Sequence, residues 1–307
     1  MTEKTAQLKI RRKRIGRSAS SMVYDVVLSA VAVTIAAVCI YPVVHTIFAS
    51  VSNPEFVRLH QGLILYPRGF SFNGYRMLFQ NAALTRSMLN SLIYVFAGTA
   101  LNMVLTVMGG YALSRREALL NKAFMKLIVF TMFFSGGLLP LYMLIGELRM
   151  IDTRWAVIVP AAVSQWNLIL MRTAFIGVPE EMAESAKIDG ANHFIIMLNI
   201  MLPLVMSTFA IVTLYYVIGH WNSWFSAMAF LRRRDLFPMQ LVLREILVVN
   251  DSSQILNIDF IKTEDKLNYE ALIKYTSVVV TMLPMFIIFP FVQKSFTRGV
   301  MLGSLKS

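Results

Sequence analysis

Six long stretches of this chain contain no aspartate, glutamate, lysine or arginine, and they limit the possible folds more than any other feature. They are Val26–Ala49, Ser87–Ser114, Leu127–Gly146, Trp155–Met171, Phe194–Leu231 and Tyr275–Gln293. A helix rises about 1.5 Å per residue, so about 20 apolar residues cross a bilayer core of about 30 Å. Because 57% of the 307 residues are hydrophobic and only 15% are charged, the sequence predicts an all-α integral membrane protein with six spanning helices.

The fifth stretch, Phe194–Leu231, is too long for a single span. We therefore predict a full helix, a bend and a shallow interfacial segment within it. The predicted organisation has a basic N-terminal tail (1–22), a helical membrane domain (23–293) with a loop at 178–193 and a longer segment at 223–270, and a C-terminal tail (294–307).

The distribution of charge predicts the orientation in the membrane. With both termini in the cytoplasm, the cytoplasmic segments carry a net charge of +9 out of the total of +12, as the positive-inside rule requires. Loop 178–193 then lies in the cytoplasm and segment 223–270 lies outside. The basic residues flank apolar stretches and form no continuous stripe, so we expect no nucleic-acid partner. The single cysteine, Cys39, excludes an internal disulfide, and the four histidines show no metal-ligand spacing.

A short polar segment, "ESAKIDGA" (Glu184–Ala191), lies between two of the most apolar stretches. Pro179 suits the first position of a helix, and the acidic residues after it complement the positive end of the helix dipole. Gly190 can adopt the left-handed conformation that ends a helix. The residues thus predict a short surface helix. On physical grounds alone, a contact site for a cytoplasmic partner and a passive solvated loop are equally good interpretations.

A longer segment around it, "EMAESAKIDGANHFIIMLNIMLP" (Glu181–Pro203), resembles the signature loop of bacterial ABC-importer permeases. That pattern has Glu-Ala-Ala, then glycine, and about nine residues later an apolar residue before Leu-Pro. Ser185 replaces the first alanine of the triplet. The resemblance implies that this loop forms a coupling helix docked in a groove of an ATPase subunit. The residues expected to couple transport to the ATPase are Glu181, Glu184, Ser185, Ala186, Asp189, Gly190, Ala191, Leu202 and Pro203.

Three further segments resemble the carbohydrate, maltose-type branch of that family: "GGYALSRRE" (109–117), "GHWNSWF" (219–225) and the C-terminal "FVQKSFTRGVMLGSLKS". The C-terminal segment departs from the family at Ser304 and Ser307. The nearest resemblance is to the Lpl-type oligosaccharide subgroup. It implies the six-helix transmembrane domain of a type I importer, in the bacterial plasma membrane, that passes a sugar or a uronate-containing oligosaccharide. It also implies a second permease subunit, two ATPase subunits that bind ATP and Mg, and an extracytoplasmic binding protein.

Other classes of function fit the residues less well. The chain has no glycine-rich phosphate-binding loop, so we expect no ATP hydrolysis and no cofactor in this chain. An ion-coupled secondary transporter, the main alternative, would place carboxylates or paired charges inside the membrane. A membrane enzyme would require acid and base groups within reach of each other, and the sequence shows no such grouping.

Two groups of residues are candidates for contact with the transported molecule or with outer partners. Tyr215, Trp221, Asn222 and Trp224 form an aromatic and polar cluster that suits stacking on sugar rings; the alternative is an aromatic belt at the membrane interface. Arg232, Arg233 and Arg234 are predicted to lie outside. They would either anchor the chain at the lipid headgroups or dock the binding protein and attract anionic sugars.

Overall fold

The computed structural model describes residues 19–60, 62–115, 117, 120–249 and 263–304. These residues are mostly helical, and no β-strand occurs among them, so the prediction of an all-α protein is confirmed. The helices are α1 (Ala19–Ser50), α2 (Pro54–Leu59), α3 (Asn73–Gln80), α4 (Ala82–Ser114), α5 (Asn121–Phe133), α6 (Leu138–Glu147), α7 (Trp155–Ile158), α8 (Gln165–Ile176), α9 (Glu181–Ile188), α10 (His193–Ile195), α11 (Leu202–Leu204), α12 (Met206–Trp221), α13 (Trp224–Phe230), α14 (Met239–Arg244) and α15 (Thr263–Ser304). Short 3-10 and π segments connect several of them.

Three of these helices are long and apolar enough to cross a membrane: α1, α4 and α15. Two further candidates are bent pairs. Helices α5 and α6 meet at 115°, and the segment His193–Leu204 meets α12 at 90°. The fifth charge-free stretch, Phe194–Leu231, is therefore bent, as expected from its length. Helix α1 differs from α4 and α15 because no residue of its apolar window is buried within the chain.

The fourth predicted span, Trp155–Met171, is not one continuous helix. Helix α7 gives way to a 3-10 turn at Val159–Ala161, and a new helix, α8, begins at Gln165. The side chain of Ser164 caps α8, since its Oγ accepts the N–H of Asn167 at 3.4 Å. Pro160 lies within the 3-10 turn and has no N–H to donate, which favours the interruption.

The core is built around α4, which packs against α8 and α12. Its start is fixed by Asn81, whose Oδ1 accepts the N–H groups of Ala83 and Leu84 at 2.9 and 3.1 Å. One hydrophobic cluster joins α4 to α13, α14 and α15, and a second joins α4 to α8, α9 and α12. The second cluster holds the predicted coupling helix in place.

Candidate functional site

The predicted surface helix is present as α9, Glu181–Ile188. Glu181 and Glu184 both lie in its first turn, where their charge complements the positive end of the helix dipole. The sequence suggested that Pro179 is the first residue of this helix, and the structure differs. Pro179 lies just ahead of the helix, and its carbonyl accepts the N–H of Met182 at 3.3 Å.

The end of α9 is fixed by Gly190, which has a φ of +82°. The N–H of Gly190 donates to the carbonyl of Lys187 at 3.0 Å, and the N–H of Ala191 donates to the carbonyl of Ala186 at 2.9 Å. These two bonds form a Schellman motif, in which a left-handed residue lets the chain reverse and satisfies the last carbonyls. The prediction that Gly190 ends this helix in the left-handed conformation is confirmed.

A candidate membrane span, the bent pair of His193–Leu204 and α12, begins within a few residues. Asn192 caps the next helix, since its Oδ1 accepts the N–H of Ile195 at 2.9 Å. The segment continues through a π-helical turn, Ile196–Met201, to Leu202 and Pro203. Leu202 packs at the edge of the second hydrophobic cluster, whereas Pro203 is exposed.

Helix α9 has one buried face and one exposed face. Ala183 and Ala186 are buried in the cluster formed with α8, where Met171 and Phe175 are completely buried. The small alanine side chains allow α9 to lie directly on this cluster. The exposed part of α9 includes two uncovered apolar residues, Ile188 on the opposite side and Met182 on the flank, of which Ile188 is 87% exposed. It also carries Glu181, Glu184, Ser185 and Asp189, all of them exposed.

Two polar contacts join this loop to the end of α4. Lys187 Nζ lies 3.0 Å from Glu117 Oε2, and this hydrogen bond lowers the pKa of Glu117 below its ordinary value. The hydroxyl of Tyr111 lies 3.1 Å from Nδ1 of His193. The pattern of the loop alone did not reveal these partners, because they lie about 70 to 80 residues away in the sequence.

The four aromatic and polar candidates do not form one cluster. Trp221 is buried, and its indole N–H donates to the carbonyl of Thr281 at 3.2 Å. Asn222 accepts from the side chain of Gln240 at 3.2 Å. Trp224 is partly exposed, with the guanidinium of Arg244 5.0 Å from its ring centre. Tyr215 lines a cavity.

That cavity has a volume of about 650 Å³ and lies between the interrupted fourth span and α12. Its lining includes His220, whose Nε2 lies 2.7 Å from Oδ1 of Asn102. Asn102 also donates its amide to the carbonyl of Ala161 in the interrupted region. Nothing marks Asn102 in the sequence, since it is one of several neutral polar residues within an apolar helix.

The three consecutive arginines are exposed, and contacts within the chain occupy them to different extents. Arg233 lies 3.3 Å from Asp235 and 3.8 Å from Asp152, and Arg234 lies 3.6 Å from Glu245. Arg232 instead donates from its guanidinium to the hydroxyl of Tyr142 at 3.2 Å. The backbone N–H groups of the first two arginines donate to Asp152 Oδ1, each at 2.9 Å. The N–H of Arg233 in particular lowers the pKa of Asp152 below its ordinary value.

The fold identifies the class of protein. The structure matches one chain of the crystal structure of a bacterial ABC transporter involved in the import of the acidic polysaccharide alginate, with a TM-score of 0.82 and 25% sequence identity. The match covers 90% of this chain and 98% of that chain. The molecule therefore has the fold of an ABC-importer transmembrane subunit.

Sequence relatives identify the family within that class. The chain is 34% identical to the polygalacturonan/rhamnogalacturonan transport system permease protein YtcP of Bacillus subtilis, over 92% of this chain and 98% of the relative. It is 32% identical to protein LplC of the same organism, over 89% and 91% of the two chains. No protein-family model matches the chain. The chain belongs to the family of permease subunits of binding-protein-dependent ABC sugar importers. This membership gives no support to an ion-coupled secondary transporter.

Proposed function

We propose that this chain is one of two permease subunits through which a bacterial ABC importer moves uronate-containing oligosaccharides into the cell. The chain itself catalyses no reaction, and separate ATPase subunits bind ATP and Mg. The observation that carries the proposal is the exposed, capped helix α9 in the position of the family's coupling loop. The substrate follows from the relatives, because one is named for polygalacturonan and rhamnogalacturonan and another structure for alginate import.

In this proposal the exposed face of α9 docks in a groove of an ATPase subunit. Met182 and Ile188 supply apolar contact area, and the exposed acidic residues of the first turn supply charge. Exposed apolar side chains beside charged ones are typical of a protein interface. Ala183 and Ala186 hold the helix on α8 from below.

The outer surface is proposed to meet the binding protein and the second permease subunit. Arg232 is the best candidate among the three arginines for attracting an anionic sugar. The carboxylates beside Arg233 and Arg234 already offset much of their charge. Of the aromatic candidates, Tyr215 is proposed to line the substrate path, and Trp221 to support α12 from within the core.

An uptake experiment tests the proposed function. The chain should be purified with its copurifying permease, ATPase and binding-protein partners and reconstituted in proteoliposomes. We expect ATP-driven uptake of labelled trigalacturonic acid, which excess unlabelled trigalacturonic acid suppresses and excess maltotriose does not. Suppression by maltotriose alone would contradict the substrate assignment. Uptake that follows an ion gradient without ATP would contradict the transport mechanism.

The orientation can be tested by labelling single cysteines. In a Cys39→Ala background, Asn73→Cys should react with a membrane-impermeant thiol reagent in intact cells, whereas Ser185→Cys should react only after the membrane is opened. Both positions are exposed in this chain, so in cells that lack the ATPase subunit the bilayer is the only barrier expected between them and the reagent. Labelling of Ser185→Cys in intact cells would place α9 outside and remove the proposed ATPase contact.

A further inference from the structure

The cavity beside the interrupted fourth span is lined by the first turn of α8. Ser164, Gln165, Trp166 and Asn167 all border it, together with Tyr215 of α12. A volume of about 650 Å³ falls within the range of small-molecule binding sites, about 300–1,000 Å³. No aspartate, glutamate, lysine or arginine is among the described residues that line the cavity. The electrostatic character of the cavity therefore depends on neutral polar groups and on backbone dipoles.

The start of α8 supplies such a dipole. The N–H groups in the first turn of a helix have no acceptor within the helix and carry a partial positive charge. Helix α8 has 12 residues, enough for this effect to develop fully. In membrane transporters, interrupted helices direct N-terminal ends of this kind at anionic groups of the substrate. The interruption at 162–164 brings the N-terminal end of α8 to the cavity wall.

A second, independent observation comes from Asn167. Its side chain is only 5% exposed, yet its amide group has no hydrogen-bond partner among the residues that the structure describes. The Asn167 amide borders the cavity instead of another side chain. The Asn167 amide is therefore available to hydrogen-bond a ligand beside the positive end of α8.

Aromatic rings complete the site. Trp166 and Tyr215 border the same cavity and are 57% and 40% exposed. Flat aromatic faces pack against the apolar faces of sugar rings, while their polar edges can hydrogen-bond hydroxyl groups. The cavity thus combines a surface for a sugar ring with donors suited to an anion.

From these observations we infer that the cavity binds one uronic-acid unit of the transported oligosaccharide. Its carboxylate lies at the first turn of α8 and accepts a hydrogen bond from the Asn167 amide. The sugar ring lies against Trp166 and Tyr215. This inference rests on the proposed function, which supplies the acidic substrate, and it adds a site for the carboxylate within this subunit.

Binding in the absence of the binding protein tests the site. Equilibrium dialysis should be performed on the detergent-purified permease–ATPase complex with labelled digalacturonic acid, and with galactobiose as the neutral counterpart. We expect the wild-type complex to bind the acidic disaccharide more tightly. Asn167→Leu should weaken that binding about tenfold, the usual effect of losing one hydrogen bond to a charged group, and should change galactobiose binding less.

Two further variants make the result decisive. Thr173→Val removes a hydroxyl from the exposed side of the same helix, away from the cavity, and should leave both affinities unchanged. Gln165→Leu provides a second test at the cavity if Asn167→Leu does not assemble, and we expect the same selective loss. Equal loss of both sugars, or no loss in an assembled complex, would overturn the inference. Failure of trigalacturonate uptake by the wild-type transporter would instead overturn the proposed substrate.

Discussion

Replacing Gly190 with valine will reduce sugar uptake about tenfold or more while leaving the chain in the membrane. Gly190 has a φ of +82°, and the left-handed conformation costs an ordinary L-residue about 1–2 kcal/mol and a β-branched one more. About 1.4 kcal/mol corresponds to a factor of ten in an equilibrium. The Schellman bonds at the end of α9 will therefore break in most molecules, and the exposed face will lose its orientation. The effect is measured as the rate of sugar uptake and as the amount of ATPase subunit that copurifies with the chain.

The structure also supplies a control for this experiment. A Cβ at Gly190 would meet no atom within 4 Å, so the expected defect arises from the backbone conformation and not from a steric clash. Gly190→Asn should then retain most of the uptake, because asparagine adopts the left-handed conformation readily. If valine and asparagine behave alike and both transport normally, α9 does not need its fixed end and the coupling proposal fails.

The second large effect is expected at Gly98 in α4. A Cβ at this position would overlap the imidazole of buried His220 and lie 2.8 Å from its Cδ2. In the structure, Nε2 of His220 lies 2.7 Å from Oδ1 of Asn102. Gly98→Ala therefore forces His220 away from Asn102. Overpacking a close-packed site costs about 1–3 kcal/mol. We expect a lower unfolding temperature of the purified complex and weaker retention of its subunits.

Gly219 provides the matched control, since it lies one residue before His220 and a Cβ there would meet nothing within 4 Å. Gly219→Ala should not lower the unfolding temperature, because alanine favours the helix over glycine by about 1 kcal/mol. An unchanged temperature for Gly98→Ala would mean that α4 and α12 separate easily at this point, contrary to the contact in the structure.

The features that the sequence predicted well are those encoded by neighbouring residues. The charge-free stretches follow from the chemistry of lipid, and the end of α9 follows from one glycine at the right distance. The interruption of the fourth span was not predicted. Its local signal was weak, and the groups that satisfy the freed backbone come from distant helices: Tyr216 accepts the N–H of Ser164 at 3.0 Å, and Asn102 donates to Ala161.

The outer candidates show the same limit. No partner for Arg233 was evident in the sequence, but in the structure Asp152, about 80 residues away, accepts from its backbone N–H and lies 3.8 Å from its guanidinium. Trp221 looked like a sugar-stacking residue, but α15 provides a carbonyl for its indole in the core. Contacts between residues far apart in the chain decided both outcomes, and a pattern within one segment carries no information about them.

The interruption before α8 has a mechanical consequence. Helix α8 is a single element of 12 residues, about 18 Å long, and only the short link 177–180 separates its last turn from α9. Its first turn is held at the cavity by the hydroxyl of Tyr216. The helix is therefore a short rigid lever with α9 at one end and the cavity wall at the other. In the proposed coupling, a tilt of α9 by a moving ATPase would reach the cavity wall through this one helix and the cluster that packs it against α4 and α12.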